Sequence, residues 1–239
     1  MTKRVKKRFT SEVQVIDFQP YLPQKKQRVV VQARNANQKI YLSKLQNDEK
    51  SIVFAIGPAG TGKTMLAVQH GIKLFQDGVV DKIVITRPAV SVDEDLGFLP
   101  GDLNEKMAPW TRPIFDVFGE YYQAKEVARM LEEGTIEISP LAYMRGRTFK
   151  NAYIVADEMQ NATTNQMKML LTRLGENSKM VVTGDLAQAD RLSDNGLINF
   201  CNLHTGKPGL KHIDVIQFDQ KDIERHEAVK EVLTIYGDN

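Results

Sequence analysis

A glycine-rich stretch in the first third of the chain has the residue types and the spacing that hold phosphate. Its fixed positions are Gly57, Gly62, Lys63 and Thr64, and it follows the apolar run Ile52–Ile56. Glycines let backbone N–H groups close around phosphate oxygens at the N-terminus of the following helix. Lys63 would reach the outer phosphates as a point charge, and the Thr64 hydroxyl would be a ligand of Mg²⁺. The predicted phosphate loop consists of Gly57, Pro58, Ala59, Gly60, Thr61, Gly62, Lys63 and Thr64.

Two acidic residues, Asp157 and Glu158, follow a second apolar run at residues 153–156. A phosphate loop needs a carboxylate from a neighbouring strand to complete the magnesium shell, and Asp157 would hold the ion directly or through water. Glu158 would polarise the attacking water as a general base. The alternative is an ordinary strand that ends in a charged turn.

A third polar strand end follows residues 180–183, where Gly184 and Asp185 precede Gln188. Ligands in open parallel sheets bind at the carboxyl ends of the strands, so Asp185 and Gln188 would face the same crevice as the phosphate loop. There they could sense the outer phosphate and couple its presence to movement. Taken together, the three strand ends indicate that the bound phosphate is cleaved by water.

The elements that would position these residues are apolar runs that alternate with helical segments. The runs are continuously apolar, which is typical of parallel strands that are covered on both faces. The predicted strands are Ile52–Ile56, Lys82–Thr86, Ile136–Ile138, Ala152–Ala156, 180–183 and 213–218, and the predicted helices are Lys63–Gln76, 121–133, 164–174 and 222–236. A further helix is expected near residues 37–45. The fold class is therefore α/β, a mostly parallel sheet with helices on both faces.

Length and composition favour one domain preceded by a basic arm. The chain has 239 residues and is 42% hydrophobic, which is enough for one sheet with a buried core. Residues 1–28 are polar, contain Pro20 and Pro23, and begin with MTKRVKKR, so we expect a flexible arm followed by a domain over residues 29–239. The arm is either a solvated tail or a contact for nucleic acid.

Composition also argues against several classes of protein. The formal net charge is only +2, so the whole chain does not have the basic character of a nucleic-acid coat protein. The single cysteine, Cys201, excludes an internal disulfide and suits a reducing compartment, and the four scattered histidines argue against a zinc site. No apolar segment approaches the roughly 18 residues that a membrane span needs, so we expect a cytoplasmic protein without membrane contact.

Several of these motifs resemble the first motor domain of superfamily-one helicases. They are Asp157-Glu158 with Gln160, Gly184-Asp185 with Gln188, and Thr86-Arg87-Pro88. Two longer stretches, residues 96–116 and 139–161, are more specific and resemble the PhoH-like family of predicted ATPases. The resemblance covers residues 37–236 and implies a RecA-like fold of the phosphate-loop NTPase type, binding of ATP with Mg²⁺, and ATP hydrolysis.

Two further residues take a role from this resemblance. Gln38 matches a glutamine that often recognises adenine, since its amide can both donate to and accept from the base edge; the alternative is a solvated side chain. Arg225 matches an arginine near the C-terminal helix of the family and could stabilise the transferring phosphate, in its own subunit or in a neighbour's. Helicases of that superfamily clamp the nucleotide between two motor domains, and this chain has length for one. We therefore expect a homo-oligomeric ring, a hexamer by analogy.

The partner of such an ATPase is open to two interpretations. Residues 88–113 are predicted to be a long, mostly irregular loop, and six residues could hold RNA or single-stranded DNA: Arg87, Lys106, Trp110, Arg112, Arg145 and Arg147. The same loop is also acidic, and its arginines could instead serve a subunit interface. The chain is therefore either a remodeller or helicase of polynucleotides, or an ATP-dependent switch or assembly factor that acts on a protein. A small-molecule kinase is a weaker third possibility, since no acceptor pocket or arginine-rich lid is apparent.

Overall fold

Six short apolar segments of the described chain form one parallel sheet. The computed structural model describes residues 28–88, 103–189, 193–207 and 209–236. The strands are β1 (Ile52–Ile56), β2 (Lys82–Thr86), β3 (Ile136–Ile138), β4 (Ala152–Ala156), β5 (Lys179–Gly184) and β6 (Ile213–Gln217). Their order is β3-β2-β4-β5-β1-β6, and every neighbouring pair is parallel. The parallel sheet predicted from the apolar runs is confirmed.

The strand order places β5 between the strand that leads into the phosphate loop and the strand that leads into the acidic pair. β5 pairs with both of these strands, since Val53 of β1 and Tyr153 of β4 each lie opposite a residue of β5. Neighbouring strands lie about 4.8 Å apart, so the ends of β1 and β4 are separated by about 10 Å across β5. All the strands run in the same direction, and the three polar strand ends therefore share one edge of the sheet.

Helices cover both faces of the sheet. They are α1 (Ala36–Gln46), α2 (Lys63–Gln76), α3 (Leu103–Gly119), α4 (Ala124–Glu132), α5 (Thr164–Leu171), α6 (Gly196–Thr205) and α7 (Glu227–Tyr236). Successive strand residues face opposite sides: Val53 and Ala55 pack with α1 to α4, whereas Phe54 and Ile56 pack with α5 and α6. This two-sided core confirms the RecA-like α/β fold.

One predicted loop is in part a helix. Residues 88–113 were expected to be irregular because they contain several prolines and glycines, but α3 begins at Leu103 and continues through Pro113. Ile114 and Phe118 lie one helical turn apart and are both buried against α2. Burial of two such side chains stabilises by roughly 1.5–3 kcal/mol each, which is comparable with the cost of about 3 kcal/mol for each of the two prolines inside this helix. Residues 89–102, and all of the predicted arm except Arg28, lie outside the described residues.

Local hydrogen bonds explain where helices α7 and α6 begin. Helix α7 begins at Glu227 rather than at 222, because Asp222 belongs to a separate 3-10 turn that the Asp219 side chain caps. The Asp222 carboxylate also accepts a hydrogen bond from Asn37 at 2.8 Å, which holds this turn against α1. Helix α6 was not predicted, although Asn195 is a good N-cap and accepts hydrogen bonds from the N–H groups of two residues in the first turn. Helix α5 ends at Leu171 and α4 at Glu132, slightly inside the expected ranges.

The helices of the described chain contain no candidate membrane span, since none is both long enough and apolar enough.

His70 is buried in the core of the described chain. It is 3% exposed, and no hydrogen bond of ordinary geometry reaches either ring nitrogen from the described residues. Burial, together with the nearby Lys179 ammonium, lowers the pKa of His70 to about 4. The carbonyl of Leu45 opposes this shift only in part, and it accepts a hydrogen bond from Lys179. The folded protein therefore holds His70 neutral.

This burial predicts a loss of stability in mild acid. Because the pKa of His70 is lower in the folded than in the unfolded chain, unfolding takes up a proton once the pH is below about 6.5. We expect the free energy of unfolding to decrease by up to about 3 kcal/mol between pH 6.5 and pH 4 on account of His70. Denaturant unfolding at several pH values should show a smaller decrease for His70→Phe. Equal pH dependence of the two proteins would contradict the assignment.

Candidate functional site

The phosphate loop joins β1 to α2 through backbone conformations that glycine allows. Gly62 has φ 81°, in the left-handed region, and caps α2 without a side-chain hydrogen bond. The N–H groups in the first turn of α2 are thus not used by a capping side chain, as an anion site at a helix N-terminus requires. Gly57 is packed closely, because a Cβ atom there would lie 2.5 Å from the carbonyl oxygen of Phe218.

Lys63 points its charge into the loop. Its Nζ donates to the carbonyl oxygens of Gly57 at 2.6 Å and Pro58 at 2.7 Å. Burial lowers the pKa of Lys63, and three carboxylates, first among them Asp185, oppose that shift. The loop therefore concentrates one positive charge where strand-end carboxylates converge.

The two side chains predicted for the magnesium site lie in contact. Thr64 Oγ1 donates to Asp157 Oδ1 at 2.7 Å, and Thr183 Oγ1 donates to the same oxygen at 2.6 Å. Thr183 ends the apolar part of β5, so the strand between β1 and β4 fixes the carboxylate. Its hydroxyl was not predicted to take part.

The chemistry of these donors fits Mg²⁺. Among the described residues no group of three or more His, Cys, Asp or Glu side chains could hold a metal. Mg²⁺ beside nucleotide phosphates is usually held by one or two carboxylates, a hydroxyl, water and the phosphates themselves. Thr64 supplies the hydroxyl and Asp157 the carboxylate of this set, and the hydrogen bond from Thr183 orients the carboxylate.

Glu158 has a strained backbone conformation, and a buried glutamine holds its side chain. Its backbone is left-handed, with φ 53° and ψ 40°, which is uncommon for a residue other than glycine, asparagine or aspartate. Gln160 is 2% exposed; its Nε2 donates to Glu158 Oε2, and its Oε1 accepts from the N–H of Asp185 at 3.2 Å. Strain of this kind often occurs at functional sites. Gln160 was noticed only as part of a motif, and the structure gives it contacts with two strand ends.

Most of the predicted site residues line one open cleft of about 250 Å³. Asp185 is buried at its rim and accepts a hydrogen bond from the N–H of Ala187 at 3.0 Å, which shapes the short turn that carries Gln188. The predicted residues that line the cleft are Ala59, Gly60, Gly62, Lys63, Thr64, Glu158, Asp185 and Gln188, whereas Gly57, Pro58, Thr61 and Asp157 do not line it. The loop and the second and third strand ends thus meet in one place.

Gln38 and Arg225 lie beside the loop but do not line this cleft. Gln38 is fully buried, donates to the carbonyl of Thr61 at 3.1 Å and accepts from the N–H of Arg34 at 2.7 Å. Its amide thus supports the loop, and an adenine contact stays a prediction. Arg225 Nε would lie 3.0 Å from a Cβ atom on Gly60, so this guanidinium sits against the loop of its own chain.

Two arginines that were considered for nucleic-acid contact have structural partners. Arg147 pairs with Glu137 through both guanidinium Nη atoms and lies over the ring of Phe149, 4.6 Å from its centroid. Arg87 Nη1 donates to the carbonyl oxygen of Trp110 at 3.2 Å and so joins the end of β2 to α3. The side chain of Lys106 lies outside the described residues. Arg112 and Arg145 are exposed.

Comparison with known proteins identifies the family. The family model described as "PhoH-like protein" matches residues 30–237. A PhoH-like protein of Bacillus subtilis is 45% identical over 209 residues, which are 86% of this chain and 64% of the relative. A PhoH-like protein of Synechocystis sp. is 41% identical over 212 residues, 87% of this chain and 62% of the relative.

Protein PhoH of Escherichia coli is 48% identical over 160 residues, which are 66% of this chain and 45% of the relative. The chain spans less than two thirds of the length of these curated relatives. The family match nevertheless covers the loop, all six strands and every predicted site residue. The chain belongs to the PhoH-like family.

Proposed function

We propose that this chain is a magnesium-dependent ATPase. The observation that carries the proposal is the hydrogen bond from Thr64 to Asp157, because Thr64 lines one cleft together with Lys63 and Glu158. Membership of a family of ATPase-like phosphate-loop proteins supports nucleotide binding. A carboxylate beside the metal ligands favours hydrolysis over binding alone, since it provides a base for water.

Each residue has a separate part in this reaction. Backbone N–H groups of the loop and the Lys63 ammonium hold the outer phosphates, while Asp157 and Thr64 would hold Mg²⁺. When bound, the ion neutralises phosphate charge. The water oxygen bonds to the γ-phosphorus as the bond from phosphorus to the ADP oxygen breaks, and Glu158 takes the proton of the water. Gln188 senses whether the γ-phosphate is present. Arg225, which lies beside Gly60, stabilises the negative charge of the transferring phosphate.

We further propose that turnover is coupled to remodelling or unwinding of RNA or single-stranded DNA by a homo-oligomeric ring, a hexamer by analogy. The neighbouring subunit would supply the second half of the nucleotide clamp. The second candidate is an ATP-dependent switch that acts on a protein. It is favoured by α7, on which Val232, Ile235 and Tyr236 are exposed and offer apolar surface for protein contact.

ATP turnover on protein of measured oligomeric state tests these proposals. We expect phosphate release that requires Mg²⁺ and is stimulated by single-stranded RNA or DNA, with a steep decrease at higher salt. An ATPase that no polynucleotide stimulates would favour the switch. No phosphate release by folded protein with Mg²⁺ would contradict the ATPase itself, and light scattering that shows only monomer with nucleotide would contradict the ring.

The position of Gln160 predicts two different effects on the pH–rate profile. Gln160→Leu removes the hydrogen bond that orients the Glu158 carboxylate, so the plateau value of kcat is expected to decrease about tenfold or more. Gln160→Glu places a second carboxyl beside Glu158, and repulsion between like charges favours protonation of the pair, which moves the acidic limb to higher pH. An unchanged plateau in Gln160→Leu together with an unchanged acidic limb in Gln160→Glu would show that Gln160 does not contact the base during turnover.

A further inference from the structure

An open groove of about 630 Å³ lies between the 3-10 turn Leu141–Met144 and helix α5. It is on the face of the sheet opposite α2 and outside the cleft of the phosphate loop. We call it the basic groove and define it by Ala142, Arg145, Asn165, Lys168, Met169 and Arg173. None of the described residues that line it is acidic.

The cations of the basic groove are not neutralised. Arg145 and Lys168 are exposed, and neither they nor Arg173 form an ion pair with a carboxylate of the described chain. Arg147, just outside, differs because its charge is paired with Glu137. The groove therefore concentrates three positive charges in a protein whose formal net charge is only +2.

Arg173 is already oriented for an anion. Its Nε donates to the carbonyl of Met169, its Nη1 to the carbonyl of Arg147 and its Nη2 to Thr172 Oγ1, each at 3.0 Å. Neutral oxygens accept these bonds, so the positive charge is not cancelled, and two of the five N–H donors of the guanidinium are left for a ligand. A fixed guanidinium loses little entropy when it binds phosphate.

The turn that borders the groove carries an exposed aromatic ring. Tyr143 is 65% exposed and belongs to the same 3-10 turn as Ala142, which lines the groove. Phosphate contacts from cations together with an aromatic ring for base stacking are typical of single-stranded nucleic-acid sites. An acidic peptide would use the cations but has no bases to stack on the ring.

We infer that the basic groove binds the phosphodiester backbone of a single-stranded polynucleotide, with a base stacked on Tyr143; this rests on the proposed coupling of the ATPase to polynucleotides. Helix α5 begins at Thr164, in the continuous segment that carries Asp157 and Glu158. A capping box of Thr163 and Gln166 fixes its first turn. A strand in the groove therefore contacts a rigid helix that leads directly back to the acidic pair.

The experiment measures binding by fluorescence anisotropy without nucleotide, over a series of salt concentrations. The probes are labelled single-stranded RNA and DNA of about 20 nucleotides, which is longer than the roughly 4–16 nucleotides of a typical single-strand site. The variants are Arg145→Glu, Lys168→Glu and Tyr143→Ala. The matched control is Lys125→Glu, which makes the same charge change on an exposed residue of α4, on the opposite face of the sheet. Circular dichroism checks that all four variants are folded.

We expect Arg145→Glu and Lys168→Glu each to weaken binding several-fold and to reduce the slope of log K against log[salt] by about 0.7. Tyr143→Ala should weaken binding about tenfold without changing that slope. The control should match the original protein. The RNA and DNA arms decide which polynucleotide is preferred.

Equal weakening by Lys125→Glu would overturn the inference, since net charge alone would then explain it. Unchanged binding in all three groove variants would place the strand elsewhere, and binding of an acidic peptide but of no polynucleotide would assign the groove to a protein. Basal ATPase activity without polynucleotide should be the same in every variant. Failure of the unmodified protein to bind polynucleotide, with basal turnover intact, would count against the groove and the coupling but not against the ATPase, whereas absent turnover with binding intact would count against the ATPase proposal alone.

Discussion

Replacing Lys63 by alanine is expected to reduce ATP turnover at least a hundredfold and to abolish tight nucleotide binding. A charged donor directed at developing phosphate charge is worth about 10² to 10³ in rate when it is removed. Lys63 also opposes the carboxylates Asp157, Glu158 and Asp185 around the cleft. Without its ammonium, these three negative charges would repel the phosphates of ATP, so binding and chemistry are both lost.

The measurements are nucleotide affinity by calorimetry and phosphate release at saturating ATP. Lys73→Ala is the matched control, because Lys73 lies on the same helix and its exposed i,i+4 ion pair with Asp77 contributes little to stability. Both variants should be folded. Burying the Lys63 ammonium costs free energy, and its hydrogen bonds to two loop carbonyls offset only part of that cost. Removal of the side chain should therefore leave the domain folded. Near-normal turnover in Lys63→Ala would show that the phosphate loop does not contribute to ATP hydrolysis.

Glu158→Gln is expected to retain ATP and to decrease kcat by about 10² to 10⁴, the usual contribution of a general base. Glutamine has nearly the same shape, and its carbonyl oxygen can still accept the hydrogen bond from Gln160. The left-handed backbone at this position is no more strained with glutamine than with glutamate. The substitution therefore removes the proton acceptor and little else.

Single-turnover phosphate release and ATP affinity, measured on the same protein, separate the two effects. Glu176→Gln provides the control, since Glu176 is exposed and its ion pair within the described part of the chain is with Lys150, at 3.4 Å. A decrease in affinity equal to the decrease in rate would indicate that Glu158 holds the metal or the phosphates instead of acting as the base. Full turnover in Glu158→Gln would exclude it as the base altogether.

The strands could be predicted because their signal is local. A run of about five apolar residues between turn residues, such as Ile52–Ile56, has the length of a buried strand and is too short for a typical helix. Helix α3 could not be predicted in the same way, since Pro113 and nearby glycines indicate a loop and only burial of Ile114 and Phe118 against α2 decides for a helix. Tertiary packing outweighed the local preference.

The candidate site was predictable where a residue acts at the end of its own strand, and not where it acts across strands. Asp157 and Thr64 follow from the motifs. The bond from Thr183 to Asp157 depends on β5 lying between β1 and β4, and no local pattern specifies strand order. The same is true of Gln38, whose contact with Thr61 joins segments that are 23 positions apart in the chain.

The buried Gln160 side chain has a mechanical consequence. An amide group is planar and stiff, so its oxygen and its nitrogen cannot move independently. Its oxygen accepts a hydrogen bond from the N–H of Asp185, at the start of the turn that bears Gln188, and its nitrogen donates to the Glu158 carboxylate. A displacement of that turn must therefore rotate the amide and move or release the carboxylate. One side chain can in this way make the chemical step depend on the position of a neighbouring strand end, without any movement of a domain.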